Sequence, residues 1–303
     1  MPIKASKCQS VRKKSTLRIG KIPYANLFPI YHYLEDKCRN AGYKFVKGVP
    51  SALNKKLRDG EIDISPSSSI EFLKCRDKYS IVPWLSLSAE GPVCSIFLFS
   101  KYPLESLDNK TIAVSSQSET SVALLKIILR DFYSLKCKFT EVNSSSVRKI
   151  LSDFSACLLI GDDAMKARKA VAGKDEGTKL KDEKQLLHNS TFNLQPSTLH
   201  VYDLGELWFK HTGLPFVFAL WIVKKKTLSE KKELIISFTS DLVRAKEYAY
   251  KKFSLIAKHA SHKKWLSEKE LVQYWKCISY DFTDRHMKGL CLFERHALGK
   301  KRF

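Results

Sequence analysis

The longest apolar stretch of the chain, Leu214 to Val223, is far short of the ~20 residues that a membrane span requires. No membrane span is expected. The cysteines are strewn from Cys8 to Cys291 without a C-x-x-C pair, and no H-E-x-x-H accompanies any histidine, so His32, His211 and the others read as structural or surface groups. Neither a metal nor a redox cofactor is expected. The stretch from Met1 to Thr16 is basic and polar and lacks the apolar run of ~7 to 15 residues found in a secretory signal, which points to a cytoplasmic chain with reduced thiols. Zinc-finger, RNA-binding and helix-turn-helix signatures are missing too.

Charge of one sign is abundant. The 303 residues carry 53 Lys+Arg against 31 Asp+Glu, a formal net charge of +22. Such a balance favours an anionic partner, whether nucleic acid, a membrane surface or a carboxylate substrate. The basic residues run from Arg12, Lys13 and Lys14 through Lys224, Lys225 and Lys226 to Lys300, Lys301 and Arg302 without forming a basic helix. This leaves a field mildly attractive to small anions, with no nucleic acid expected. A content of 44% hydrophobic and 28% charged residues is that of a globular protein. At roughly 150 residues per domain the length suggests two compact units.

After a basic tail over residues 1–16, Leu17 to Gly20 reads as a strand, a loop follows, and a helix begins near Pro29. Tyr43 to Val46 alternates like a strand. A helix with Ser51 as N-cap runs to Arg58 and stops at Asp59-Gly60 before the strand Ile62-Asp63-Ile64. Val93 to Phe99 is strand-like, and Thr111 to Val114 opens a second β/α series. This series continues with a helix from Glu119 to about Phe132, strands at Cys137 to Phe139 and Ala156 to Ile160, and a helix from Gly161-Asp162. The polar stretch Lys166 to Ser197 reads as a surface excursion. Leu199 to Tyr202 and Phe216 to Val223 are strands flanking a helix from Leu204 to Lys210, and everything after Ser229 reads as helices. Alternation of this kind predicts a largely parallel sheet.

Several ordered segments carry a resemblance. They are Arg18-Ile19-Gly20-Lys21-Ile22-Pro23-Tyr24-Ala25-Asn26 with Pro29, Gly60-Glu61-Ile62-Asp63-Ile64-Ser65-Pro66, Gly91-Pro92-Val93-Cys94-Ser95 and Thr120-Ser121-Val122-Ala123-Leu124. Leu159-Ile160-Gly161-Asp162, Tyr202-Asp203-Leu204-Gly205, Gly213-Leu214-Pro215-Phe216-Val217-Phe218-Ala219 and Gly289-Leu290-Cys291-Leu292-Phe293 complete the set. Together they resemble the chorismate dehydratase family of the futalosine route to menaquinone. The resemblance implies an α/β, two-lobed fold like that of type II periplasmic binding proteins, with a ligand cleft between lobes. It places residues 17–104 and 214–303 in lobe 1 and residues 105–213 in lobe 2. The activity it implies is that of a carbon-oxygen lyase (hydro-lyase), removing water from chorismate to give 3-[(1-carboxyvinyl)oxy]benzoate. Two alternatives stay open: a 1,4-dihydroxy-6-naphthoate synthase-like enzyme of the same pathway, and a non-catalytic small-anion-binding module. The motif pair R-I-G-x-I-x-Y-x-N and G-P-V-x-S favours the dehydratase.

By motif, Asn26 and Ser95 match the two polar positions implicated in the family's active site. An amide donates and accepts at once, which suits substrate orientation, although on the residues alone Asn26 is a turn or N-cap position. Ser95 lies in a strand without a G-x-S-x-G elbow, so its hydroxyl is a hydrogen-bonding group or a backbone-bonded strand serine, rather than a nucleophile. Ser118, Thr120 and Ser121 stand at a helix start whose free N–H groups and dipole favour a carboxylate, and simple capping is the competing reading. Ser67 and Ser68 form a second such start. Gly161 and Asp162 read as strand-end and cap residues first and cleft contacts second. No general base stands out in these motifs, and a carboxylate of chorismate itself is the candidate for proton removal.

Overall fold

The computed structural model describes residues 16–115, 118–177 and 199–299. Most of the expected surface excursion therefore lies outside the described residues, but its first part continues a helix as far as Gly177. The first lobe opens with β1 (Leu17–Lys21), α1 (Phe28–Lys37), β2 (Tyr43–Lys47), α2 (Pro50–Asp59), β3 (Ile64–Ser68), α3 (Ser69–Lys74) and β4 (Tyr79–Ala89). The second lobe holds β5 (Ile96–Ser100), β6 (Thr111–Ser115), α4 (Glu119–Ile127), β7 (Lys138–Val142), α5 (Val147–Asp153), β8 (Ala156–Ile160), α6 (Gly161–Gly177) and β9 (His200–Asp203). Then α7 (Leu204–Thr212) leads back to β10 (Phe216–Lys224), α8 (Lys225–Glu230), α9 (Lys232–Ala257), α10 (Glu268–Cys277), β11 (Ser279–Phe282) and α11 (Asp284–Leu298).

The strands form a sheet in the order β11-β4-β10-β3-β1-β2 and a second in the order β7-β6-β8-β5-β9. Only part of each is parallel, which corrects the expectation of a largely parallel sheet. β1 pairs in parallel with β2 and β3, whereas β10 runs antiparallel to both β3 and β4. The physical reason is the excursion of the chain: a strand re-entering from the other lobe needs no crossover helix and can run either way. Because β5 pairs with β8 and β9, the chain changes sheets between Ala89 and Ile96. The return runs from β9 through α7 to β10.

Local corrections have equally simple causes. The N-cap of α2 is Val49, with Pro50 in the first turn, because proline's fixed φ and missing N–H suit that position better than Ser51 suits the cap. The strand expected at Ile62 begins at Ile64, while the Asp63 carboxylate accepts from the Arg18 backbone N–H at 2.7 Å. The helix from Glu119 reaches Phe132 through a π-helical last turn, Ile128–Phe132.

The lobe 1 core forms around β10, which is buried from Phe216 to Val223. Alternation sends Trp221 toward Phe238 (5.7 Å between ring centroids) and Tyr31 (6.0 Å), and Phe216 toward Phe293 (4.9 Å) and Trp208 (5.1 Å). That core continues into lobe 2 through Leu98, Ile112, Leu124 and Leu158, while a smaller separate cluster that includes Phe97, Phe99, Ile150, Leu151 and Leu159 packs within lobe 2.

Candidate active-site cleft

The lobes meet over a cleft holding roughly 640 Å³ of empty space, its open mouth included. Asn26, Ser68, Ser95, Ser118, Ser121 and Gly161 all line it. Residues far apart in sequence are thus brought together. The remaining wall is apolar, with Ile22, Leu27, Leu87, Ile96, Phe218 and Ile278 among its members. Ser67, Thr120 and Asp162 stand outside this lining. Ser67 is buried with no partner for its hydroxyl among the described residues. The Thr120 hydroxyl accepts from the Ile70 backbone N–H at 3.1 Å, joining α4 to α3, and an Asp162 oxygen accepts from the Ala25 N–H at 3.1 Å. Both hold lobe to lobe.

Asn26 sits in a single 3₁₀ turn, Ala25–Leu27, between β1 and α1. Three groups fix this turn besides Asp162. The Trp275 indole N–H donates to the Ala25 carbonyl at 2.8 Å, the Tyr280 hydroxyl donates to the Asn26 carbonyl at 2.6 Å, and the Phe28 ring stacks on Trp275 at 6.2 Å. With its backbone pinned, Asn26 presents a buried side-chain oxygen that has no hydrogen-bond partner among the described residues. A buried unpaired oxygen costs about 1–3 kcal/mol, so the turn holds Asn26 in a state that a ligand donor would relieve.

Ser95 is pinned from the other side. One Asp203 oxygen accepts from the Val93 N–H (3.0 Å), the other from the Cys94 N–H (2.7 Å), and Asp203 also caps α7 through Gly205 and Glu206. Burial pushes this carboxyl up despite the four N–H groups pulling the other way. A side chain on Gly205 would lie 2.6 Å from the Gly91 carbonyl oxygen, so only glycine lets α7 approach the crossing. The grip leaves Cys94 at φ +59°, a left-handed conformation that residues with a Cβ rarely adopt. Beyond it, the Ser95 hydroxyl is 3.4 Å from the Val93 carbonyl and bonds the Tyr274 phenol, while the Ser95 carbonyl accepts from the Gly161 N–H at 2.7 Å.

Ser118 caps α4, its hydroxyl accepting from the Ser121 N–H at 3.3 Å and lying 3.0 Å from the Ser121 hydroxyl. It also lines the cleft. Capping and ligand contact are therefore compatible at this position. Ser68 lies 3.3 Å from the Asn54 amide. Tyr24, the one titratable side chain among the described residues of the lining, has its phenol pushed up to about 12 by burial and then by Asp162 and Asp163. It stays protonated at neutral pH. Among the described residues no cluster of His, Cys, Asp or Glu could hold a metal ion, and no helix is long and apolar enough to cross a membrane.

Tyr274, Trp275 and Tyr280 are absent from the motifs of the sequence. They lie in α10 and β11, and their aromatic residues read as ordinary helix core when the chain is taken alone. Asp203 stands in a motif, but only the fold shows that its carboxylate reaches the crossing segment.

Two sheets joined by two crossings, with a polar-edged cleft at their junction, define a two-lobed binding-protein class. A Candida albicans protein with the generic periplasmic binding protein fold superposes with a TM-score of 0.63 over 95% of this chain and 92% of its own, at 12% identity. An Archaeoglobus fulgidus protein reaches a TM-score of 0.69 over 94% and 97%, at 17% identity. The family model for menaquinone biosynthesis matches residues 17–298. A chorismate dehydratase of Thermus thermophilus is 33% identical over 208 residues, 69% of this chain and 70% of that protein. This chain belongs to the chorismate dehydratase family of menaquinone biosynthesis.

Proposed function

We propose that the protein removes water from chorismate in the cleft between its lobes, as a hydro-lyase giving 3-[(1-carboxyvinyl)oxy]benzoate. The observation that carries this reading is the convergence of Asn26 and Ser95 on one cleft, in a chain 33% identical to a chorismate dehydratase. Loss of the ring hydroxyl and a neighbouring ring proton makes the product aromatic, so the protein has chiefly to orient the substrate and stabilise shifting charge. In this reading the Asn26 amide and the Ser95 hydroxyl hold the departing hydroxyl and the ring in place. Ser118 and Ser121, at the start of α4, hold a carboxylate, with Ser68 and Gly161 completing the polar edge. Asp162 and Thr120 act by holding the lobes together. Tyr24, kept protonated, serves as a donor and not as a base. The ring proton then passes to a carboxylate of chorismate itself.

We place the reaction in the cytoplasm, in keeping with the free state of the described cysteines. The test is incubation of the purified protein with chorismate, with and without a chelator, followed by ultraviolet spectrum and product mass. A product lighter by one water is expected in both cases. Binding without any change of mass would replace the enzyme by an anion-binding module.

A further inference from the structure

The crossing segment that carries Ser95 also carries Cys94, whose sulfur lies 3.1 Å from that of Cys277, a residue 183 positions away. Neither lines the cleft, but each adjoins a residue that does, Ser95 and Ile278. Both are partly exposed, so a small oxidant can reach them. Of the other described thiols, Cys157 is buried and Cys137 donates to the Leu107 carbonyl at 3.1 Å, while Cys38, Cys75 and Cys291 are also partly exposed.

The two sulfurs are held together from both sides. The Cys94 backbone is gripped by Asp203 and strained at φ +59°. Cys277 is the last residue of α10, its sulfur 3.5 Å from the Gln273 carbonyl oxygen. A disulfide needs its sulfurs about 2.05 Å apart, so closure calls for a movement of about an ångström. We propose that Cys94 and Cys277 are a reversible dithiol–disulfide centre that, when oxidised, ties the lobe crossing to α10 and slows turnover in the adjoining cleft. Its effect on turnover rests on the chorismate reading; the bond itself does not.

The hydrogen bond between the pair, with Cys94 as donor, sets the order of events in this proposal. The Cys94 thiol donates to Cys277 and holds it below the usual thiol range. Cys94 is itself pushed up, first by that hydrogen bond and then by burial. Cys277, the acceptor of that hydrogen bond, is assigned as the attacking sulfur. With hydrogen peroxide as oxidant, its sulfur takes one peroxide oxygen, the O–O bond breaks, and a sulfenic acid and one water result. The Cys94 sulfur then attacks the sulfenic sulfur, the S–O bond breaks, and a second water leaves. Two thiols lose two electrons, the peroxide gains both, and the thiol protons end in water. An external dithiol reverses the bond by exchange. Tying residue 94 to lobe 1 stiffens one of the two lobe crossings and shifts the backbone next to Ser95. A misplacement of about 1 Å at a reacting centre can cost on the order of a hundredfold.

The test uses the full chain treated with hydrogen peroxide, then alkylated and mapped by mass spectrometry without reduction. Chorismate turnover and hydrogen exchange over residues 91–96 are measured before and after treatment. The expected result is a Cys94–Cys277 linked peptide, slower exchange across the crossing, and turnover lowered about tenfold or more, all restored by dithiothreitol. Cys277→Ser should match the reduced parent and resist peroxide. Cys94 and Cys277 both remaining open to alkylation, or pairing with other cysteines, would overturn the proposal. A linked pair with unchanged exchange and turnover would overturn its regulatory half. If the reduced protein leaves chorismate unchanged, the functional reading fails, while mapping and exchange still decide for or against the disulfide.

Discussion

A single buried oxygen on Asn26, a residue of the cleft lining, is unpaired among the described residues. It is held there by groups that lie outside the cleft lining. Tyr280 is the most direct of these to test, because its hydroxyl donates to the Asn26 carbonyl and Tyr280→Phe removes that donor alone. Turnover should fall about tenfold and affinity less, since the positioning matters most where charge shifts. The melting temperature should drop modestly, as a buried carbonyl left unpaired costs about 1–3 kcal/mol. A lowered melting temperature with unaltered turnover would reduce Tyr280 to a packing residue. At this scale Asn26 and Ser95 can be singled out in the sequence because each stands in a motif with its neighbours, and both line the cleft. The residues that position them are not, because Trp275 and Tyr280 reach the Asn26 turn across roughly the whole length of the chain.

Elements defined by local pattern are legible, and those defined by distant pairing are not. Ala156 to Ile160 is a buried apolar run and reads correctly at both ends. β4 is interrupted by Pro83 and by Trp84 at φ +64°, and β11 is four residues long among helices, existing by pairing with β4. Neither carries a periodic signal of its own. The motif Gly289-Leu290-Cys291 has a plain geometric cause. A Cβ at Gly289 would fall 2.0 Å from the Pro215 carbonyl oxygen, so α11 packs on the entrance to β10 only without a side chain there. Backbone cannot rotate away as a side chain can. Gly289→Ala should therefore destabilise the fold by about 1–3 kcal/mol, the usual range for overpacking, in a denaturant titration. A stability equal to the parent's would show that α11 shifts freely.

Across the whole molecule, the two-lobed architecture is legible through resemblance, while the point of crossing is not, since Val93 to Phe99 reads as one strand although it spans the join. The lobes are latched by Asp162 on Ala25, Thr120 on Ile70 and Lys169 on Glu270, the last at 2.8 Å. Lys169 and the Ser267 N–H hold the Glu270 carboxyl at about 2, below its unfolded value of about 4.3. A depressed carboxyl pKa contributes stability that is present above the unfolded value and is lost as pH falls through the folded one. The melting temperature of the parent should thus exceed that of Glu270→Gln above about pH 4.5, and the two should converge toward about pH 2. A constant difference over that window would assign the latch no role in acid sensitivity.

The claim that matters most is that one cleft, built from both lobes, takes water from chorismate. Asn26→Asp tests it most directly: the side chain keeps its size, loses its donor, and turns a negative charge toward a dianion. Conversion of chorismate to a product lighter by one water is measured for parent and variant at matched folding. Turnover reduced roughly tenfold to a thousandfold in the variant is the predicted result, whereas parent-like turnover in a folded Asn26→Asp protein would contradict the account.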